Sequence, residues 1–199
     1  VVYPVARGSG PLLASVGAVL VLGETISLLG GLGILAVCGG VFLIAGGPHL
    51  FRGSGSDAHA KALVGVRWGA ATGALIACYT VIDGYAVKVL LIGPVLVDYV
   101  GNLLRVPLLA LPVLRDRAGF ASATRAQWKH ALVVAVLGPL AYIFVLYAVT
   151  MAPLSHVAPA REVSMLFAAL IGGRLLGEGE RALRIAGAAC IALGVIALA

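Results

Sequence analysis

Seven stretches of the chain are almost wholly apolar: Tyr3–Leu22, Leu28–Ala45, Leu63–Ile82, Pro94–Leu114, Ala131–Thr150, Leu154–Leu176 and Ala182–Ala199. At about 1.5 Å per residue, a helix of this length crosses a ~30 Å hydrocarbon core. None of the stretches shows the short alternating pattern of a lipid-facing barrel strand. The pattern therefore predicts an all-α membrane protein with about seven transmembrane helices. Polar and Gly/Ser positions collect in two connections, "GGPHLFRGSGSDAHAKA" after the second run and "RDRAGFASATRAQWKH" after the fourth. Both are predicted to be loops.

Composition agrees with lipid as the main solvent. Of 199 residues, 61% are hydrophobic and 11% charged, and the mean hydropathy is +1.09. Soluble domains carry roughly a quarter charged residues. The net charge of +6 lies scattered through the connections, not in a stripe interleaved with aromatics, which argues for membrane topology and against a nucleic-acid partner. Cys38, Cys78 and Cys190 lie inside apolar runs and read as packing residues. His49, His59, His130 and His156 are dispersed, and no His-x-x-x-His or Gly-x-Ser-x-Gly occurs. No enzyme, metal site or cofactor is expected on these grounds.

Self-comparison adds organisation. A shift of 154 residues lays the first two runs on the last two, pairing Arg7 with Arg161, Gly23 with Gly177, Glu24 with Glu178, Gly33 with Gly187 and Gly40 with Gly194. Five crossings separate the partners, so they run in opposite directions through the bilayer, as in an inverted repeat. The expected organisation is the last two helices of a first repeat at 1–46, a loop at 47–62 and a complete five-helix repeat at 63–199. Three further helices are then expected before Val1, making an inverted five-plus-five helix repeat transporter fold.

Two segments carry a family resemblance. "YPVARGSGPLLASVGAVLVLGETISLLGGLGILAVCGGVFLIAG" resembles the fourth and fifth helices of EamA-type members of the drug/metabolite transporter superfamily, and "APAREVSMLFAALIGGRLLGEGERALRIAGAACIALGVIALA" resembles the ninth and tenth. In both, a Gly-Glu pair closes one helix and a glycine-spaced helix follows. "GALIACYTVIDGYAVK" is similar to the opening helix of the second repeat. The resemblance implies a secondary transporter of small metabolites such as amino acids or drug-like molecules, working by alternating access, in the efflux direction, in the inner cell membrane. Membrane lipid, a proton as coupling ion and a homodimer are the further partners expected. A sugar-phosphate or nucleotide-sugar exchanger is the weaker variant of this reading. The alternative from another class is a non-transporting scaffold or assembly subunit, or a truncated inactive fragment.

Intramembrane charges need a reason, since one at helix centre costs about 2.5–3.5 kcal/mol. Arg7 and Arg161 each stand 17 residues before a glutamate, Glu24 or Glu178. Arginine at one interface and glutamate at the other is one reading. In the other, the arginines line a cavity and bind a carboxylate or phosphate. Glu162 and His156 near Arg161 form a candidate coupling cluster. Asp98, Asn102 and Arg105 share one helix face and serve either as mutual structural pairing or as a wall of the substrate path. Trp68 and Tyr79, with Asp83 and Tyr85 nearby, are candidates for stacking on substrate or for the interfacial aromatic belt. Glu24 and Glu178, with Gly23 and Gly177, are expected to stabilise helix ends, a coupling-proton site being the lesser reading of the two glutamates. Gly65, Gly69 and Gly73, and the Ala36/Gly40 and Cys190/Gly194 pairs, mark close helix packing.

Orientation is read in two ways. Basic residues concentrate on the side holding Arg115, Arg117, Arg125 and Lys129, against Lys88 alone on the other. The positive-inside rule then puts the C-terminus outside, whereas the resemblance implies cytoplasmic termini.

Overall fold

The computed structural model describes residues 2–44, 56–167 and 181–198. They form helices α1 (Val2–Leu22), α2 (Leu28–Ile44), α3 (Ser56–Lys88), α4 (Pro94–Arg115), α5 (Arg117–Met151), α6 (Leu154–Ala160) and α7 (Arg181–Leu198). A further helical stretch, 163–167, follows α6, and no strand occurs among the described residues. Four helices, α1, α3, α4 and α5, are long and apolar enough to cross a membrane, while α2 and α7 are shorter apolar helices.

Burial reverses the order seen in water-soluble proteins. Leu20 is 78% exposed and Leu28 85%, while Glu162 as a whole residue is closed off at 1%. Surfaces that apolar require hydrocarbon around them, and helices satisfy their backbone amides there internally.

Two expected loops are corrected. Residues 56–62 belong to α3, and 117–130 form the first turns of α5, leaving only Asp116 between α4 and α5. Ala, Arg, Gln and Lys are good helix formers, and one glycine costs only about 1 kcal/mol. Asp116 supplies the cap, its Oδ1 accepting from the Gly119 N–H at 2.9 Å.

The sixth expected run, Leu154–Leu176, is also not one uninterrupted helix. α6 stops at Ala160, and Arg161 and Glu162 form a turn; residues 168–176 lie outside the described residues. Pro159 inside α6 has no N–H to give the Ser155 carbonyl. Instead Ser15 Oγ on α1 approaches that oxygen at 3.1 Å. Beyond the proline the bonds tighten to three-residue spacing, Glu162 N–H to Pro159 O and Met165 N–H to Glu162 O, each 2.9 Å.

The chain divides into two compact units, residues 1–85 with 152–199, and residues 86–151. In the first, α1 and α3 run parallel: Gly69 faces Val2 and Val5, Gly73 faces Ala6, Gly10 faces Ile76, and Gly17 faces Val81. Ala14, Ala77 and Ala158 fill the meeting of α1, α3 and α6. The small-residue positions expected from sequence, Gly69, Gly73, Gly40 and Gly194, are points of helix contact.

α2 and α7 approach most closely. A Cβ on Gly40 would stand 2.6 Å from the Gly187 carbonyl oxygen, and one on Gly187 would stand 2.7 Å from Gly40 O. Gly33 and Gly194 are related in the same way at 2.8 and 2.7 Å. Gly40 also meets Ile191, and Gly194 meets Val37. The 154-residue shift carries each of these contacts onto the other, since 33, 37 and 40 become 187, 191 and 194. Lipid offers no hydrophobic drive for helix association, so this backbone-on-backbone contact supplies the dispersion that holds the pair. In the second unit, α4 carries Pro107 and Pro112 and α5 carries Pro139, all inside the helices.

Gly40→Ala therefore adds a methyl group where no space exists, and is expected to lower stability by about 1–3 kcal/mol. Gly39→Ala, at a position with nothing within 4 Å, is expected to be neutral or slightly stabilising. Thermal unfolding of the full chain in detergent compares the two.

Candidate functional site

Arg7, in the second turn of α1, donates through Nη1 to both carboxylate oxygens of Glu162, at 3.1 Å to Oε2 and 3.3 Å to Oε1. The Glu162 side chain is 2% exposed and that of Arg7 34%. Tyr3, one turn before Arg7, places its ring 5.7 Å below the guanidinium and donates its hydroxyl to Met165 Sδ at 3.7 Å. The arginine is thus held between a carboxylate and an aromatic face.

Around this pair lies a cavity of about 220 Å³, lined by Ala6, Arg7 and Pro11 of α1, Ile76 and Tyr79 of α3, and Arg161 and Glu162. Its lining carries two guanidiniums and one carboxylate. The turn after Pro159 makes this possible, because it turns the adjacent Arg161 and Glu162 toward one space. Whole small-molecule sites take roughly 300–1,000 Å³, so this volume suits a single polar group such as a carboxylate. A larger cavity of about 450 Å³ between α1 and α2 is walled by Leu12, Val16, Ile26, Leu28 and Leu32, with hydroxyls from Ser15 and Ser27 and no charge.

The start of α6 is fixed by a second carboxylate. Glu24 accepts from Leu154 N–H at 2.7 Å and Ser155 N–H at 2.9 Å, so it caps a helix 130 residues away in sequence. Gly23 before it has φ +67°, the left-handed closure of a helix C-terminus that glycine adopts without a Cβ penalty. Glu24 thus closes α1 and opens α6 together. Gly177 and Glu178 lie outside the described residues.

The remaining candidates divide. Tyr79 lines the cavity, whereas Trp68 is 66% exposed on α3. His156 places its Nε2 beside Gly30, and is not among the residues that line the cavity. Asp98, Asn102 and Arg105 form a ladder on α4, Asn102 Nδ2 to Asp98 Oδ2 at 2.9 Å and Arg105 Nη1 to Asn102 Oδ1 at 3.0 Å. Asn102 mediates where direct pairing of Asp98 with Arg105 was one expectation. Among the described residues, no group of three His, Cys, Asp or Glu is placed to hold a metal ion.

Sequence reading missed Tyr3, Pro11, Ile76 and the Ser15–Ser155 contact. Tyr3 was detectable, since i and i+4 side chains meet on a helix. Thr80 Oγ1 and Ser155 Oγ are buried hydroxyl oxygens with no hydrogen-bond partner among the described residues, a costly state for a closed interior.

Exposed apolar side chains on four helices long enough to cross a bilayer define a multi-pass membrane protein. The chain belongs to the EamA-like transporter family, whose model matches residues 63–199, within the drug/metabolite transporter superfamily. No curated protein and no solved structure matches the chain.

Removing either member of the ion pair leaves the other charge short of its partner. Arg7→Ala and Glu162→Ala are each expected to destabilise by about 1–3 kcal/mol, the partial exposure of Arg7 keeping the figure below that of a fully buried pair. The double substitution should cost less than the sum, which a double-mutant cycle on thermal unfolding reads directly. Glu24→Ala should cost about 0.5–2 kcal/mol through loss of the cap, with Glu24→Gln intermediate; hydrogen exchange at the Leu154 and Ser155 amides reports it.

Proposed function

We propose that the protein is a secondary transporter exporting small organic molecules that carry an anionic group, amino acids among them, across the inner cell membrane by alternating access. The observation that carries this reading is the Arg7–Glu162 pair with Arg161 at one small cavity inside apolar helices. Arginines line the cavity, and a guanidinium fork matches a carboxylate in two hydrogen bonds. An arriving carboxylate competes with Glu162 for Arg7 and Arg161. Glu162, once displaced inside a low-dielectric site, is best accommodated by taking a proton, which is how proton coupling enters. Tyr79 supplies a flat wall to the same cavity.

Alternating access requires two arrangements of similar energy, and an inverted repeat supplies them. The reciprocal glycine contacts of α2 and α7 support that organisation, as does the start of the family match at residue 63, where the second repeat is expected to begin. The unmet Thr80 and Ser155 hydroxyls fit a closed state that exchanges with another in which they are satisfied.

Flux of candidate carboxylates, amino acids and drug-like cations into proteoliposomes tests the proposal, with carboxylates expected to move and to acidify or alkalinise the lumen as they do. Arg161→Gln should abolish carboxylate flux while thermal unfolding stays near that of the wild type. Unchanged uptake in that variant disposes of the role given to Arg161, and no flux of any substrate class disposes of transport.

A further inference from the structure

Tyr3 stands at the start of α1 and is 57% exposed. An aromatic side chain in such a place ordinarily belongs to the interfacial belt, its hydroxyl turned toward water. Here the hydroxyl turns inward and donates to Met165 Sδ at 3.7 Å. Met165 is buried against Val41 of α2 and Ile191 of α7, and its N–H is bonded to the Glu162 carbonyl. Tyr3 therefore ties α1 to the short turn that carries the buried carboxylate.

The same ring lies under Arg7. Helical side chains lean toward the N-terminus, so the Arg7 stem runs back over the preceding turn and brings its guanidinium carbon 5.7 Å from the Tyr3 ring centroid. Both hydrogen bonds to Glu162 leave from one nitrogen, Nη1. The ring attracts the guanidinium through its π-face and occupies none of the N–H donors. The two holds on Arg7 are thus independent, and one survives when the other is broken.

An anionic group that displaces Glu162 breaks the first hold, and in this the inference rests on the carboxylate reading of the cavity given above. An arginine freed from its carboxylate regains the rotamer freedom of a long side chain, which binding must remove again. A tyrosine has only two side-chain torsions to fix, and this one is anchored at its far end to a buried sulfur. We infer that Tyr3 is a positioning residue: its ring keeps the Arg7 guanidinium at the cavity while Glu162 is displaced, so that a carboxylate meets an arginine already in place. Tyr3 is not among the residues lining the cavity and acts through Arg7.

The test is nuclear magnetic resonance of the full chain in lipid nanodiscs, with arginine side-chain nitrogens isotopically labelled and the Arg7 signal assigned by its loss in Arg7→Lys. E162Q removes the charge that holds Arg7, as displacement would. In E162Q and in E162Q/Y3F the Arg7 Nη–H signals should stay resolved and shifted by the ring, whereas in E162Q/Y3L they should collapse to the averaged signal of a mobile arginine. Y3L alone, with Glu162 in place, should keep resolved signals and lose only the ring shift. Acetate, the probe for a bare carboxylate, should half-saturate the Arg7 signal at about three- to tenfold higher concentration in Y3L than in wild type, with Y3F close to wild type. Collapse of the Arg7 signals in E162Q with Tyr3 present overturns the inference. Equal acetate binding in Y3L and wild type overturns the inference alone, whereas acetate that leaves the wild-type Arg7 signal unmoved overturns the carboxylate reading and this inference with it.

Discussion

Helices in lipid have no water to flee from, and so they stay together only where their backbones come close enough for dispersion to count. The contact of α2 with α7 meets that demand with four glycines, each facing a carbonyl of the opposite helix. Alanine serves the same end where α1, α3 and α6 meet. Bulky residues are left for the outer surface, where Leu20 and Leu28 face hydrocarbon. The sequence is glycine-rich, with 27 glycines, because contact surfaces need small residues and lipid surfaces need large ones.

A carboxylate as buried as Glu162 survives in such an interior only with company. Arg7 provides it directly, and Arg161 stands at the same cavity. The break after Pro159 is what places Glu162 there, so a helix defect and a charge pair belong together. One proline costs α6 its regular continuation, and Ser15 offsets part of that cost at the Ser155 carbonyl.

Membrane helices and family were legible in the sequence because apolar runs and intramembrane charges are dictated by the solvent itself. Arg7, Arg161 and Glu162 could be named for that reason and Tyr79 as a stacking aromatic, and all four line the cavity. His156 was grouped with them by nearness in sequence, yet five residues on a helix turn about 140°, which puts it on another side, against Gly30. Residues 117–130 read as a loop because Gly and Ser are turn signals only when no helix holds them. Asp116 and a run of helix formers hold these. The break inside the sixth run escaped because Pro159 was one residue among apolar neighbours. What a proline does there depends on whether a distant side chain, here Ser15, can satisfy the carbonyl it strands.

α6 ends as it begins, in the grip of other helices. Glu24 holds its first amides, and seven residues later the chain delivers Arg161 and Glu162. At about 10 Å, this short rod acts as a ruler: it sets the depth in the bilayer at which the charges stand, measured from the corner where α1 ends. Any displacement of that corner is delivered to the ion pair undamped, since a rod this short cannot bend to absorb it.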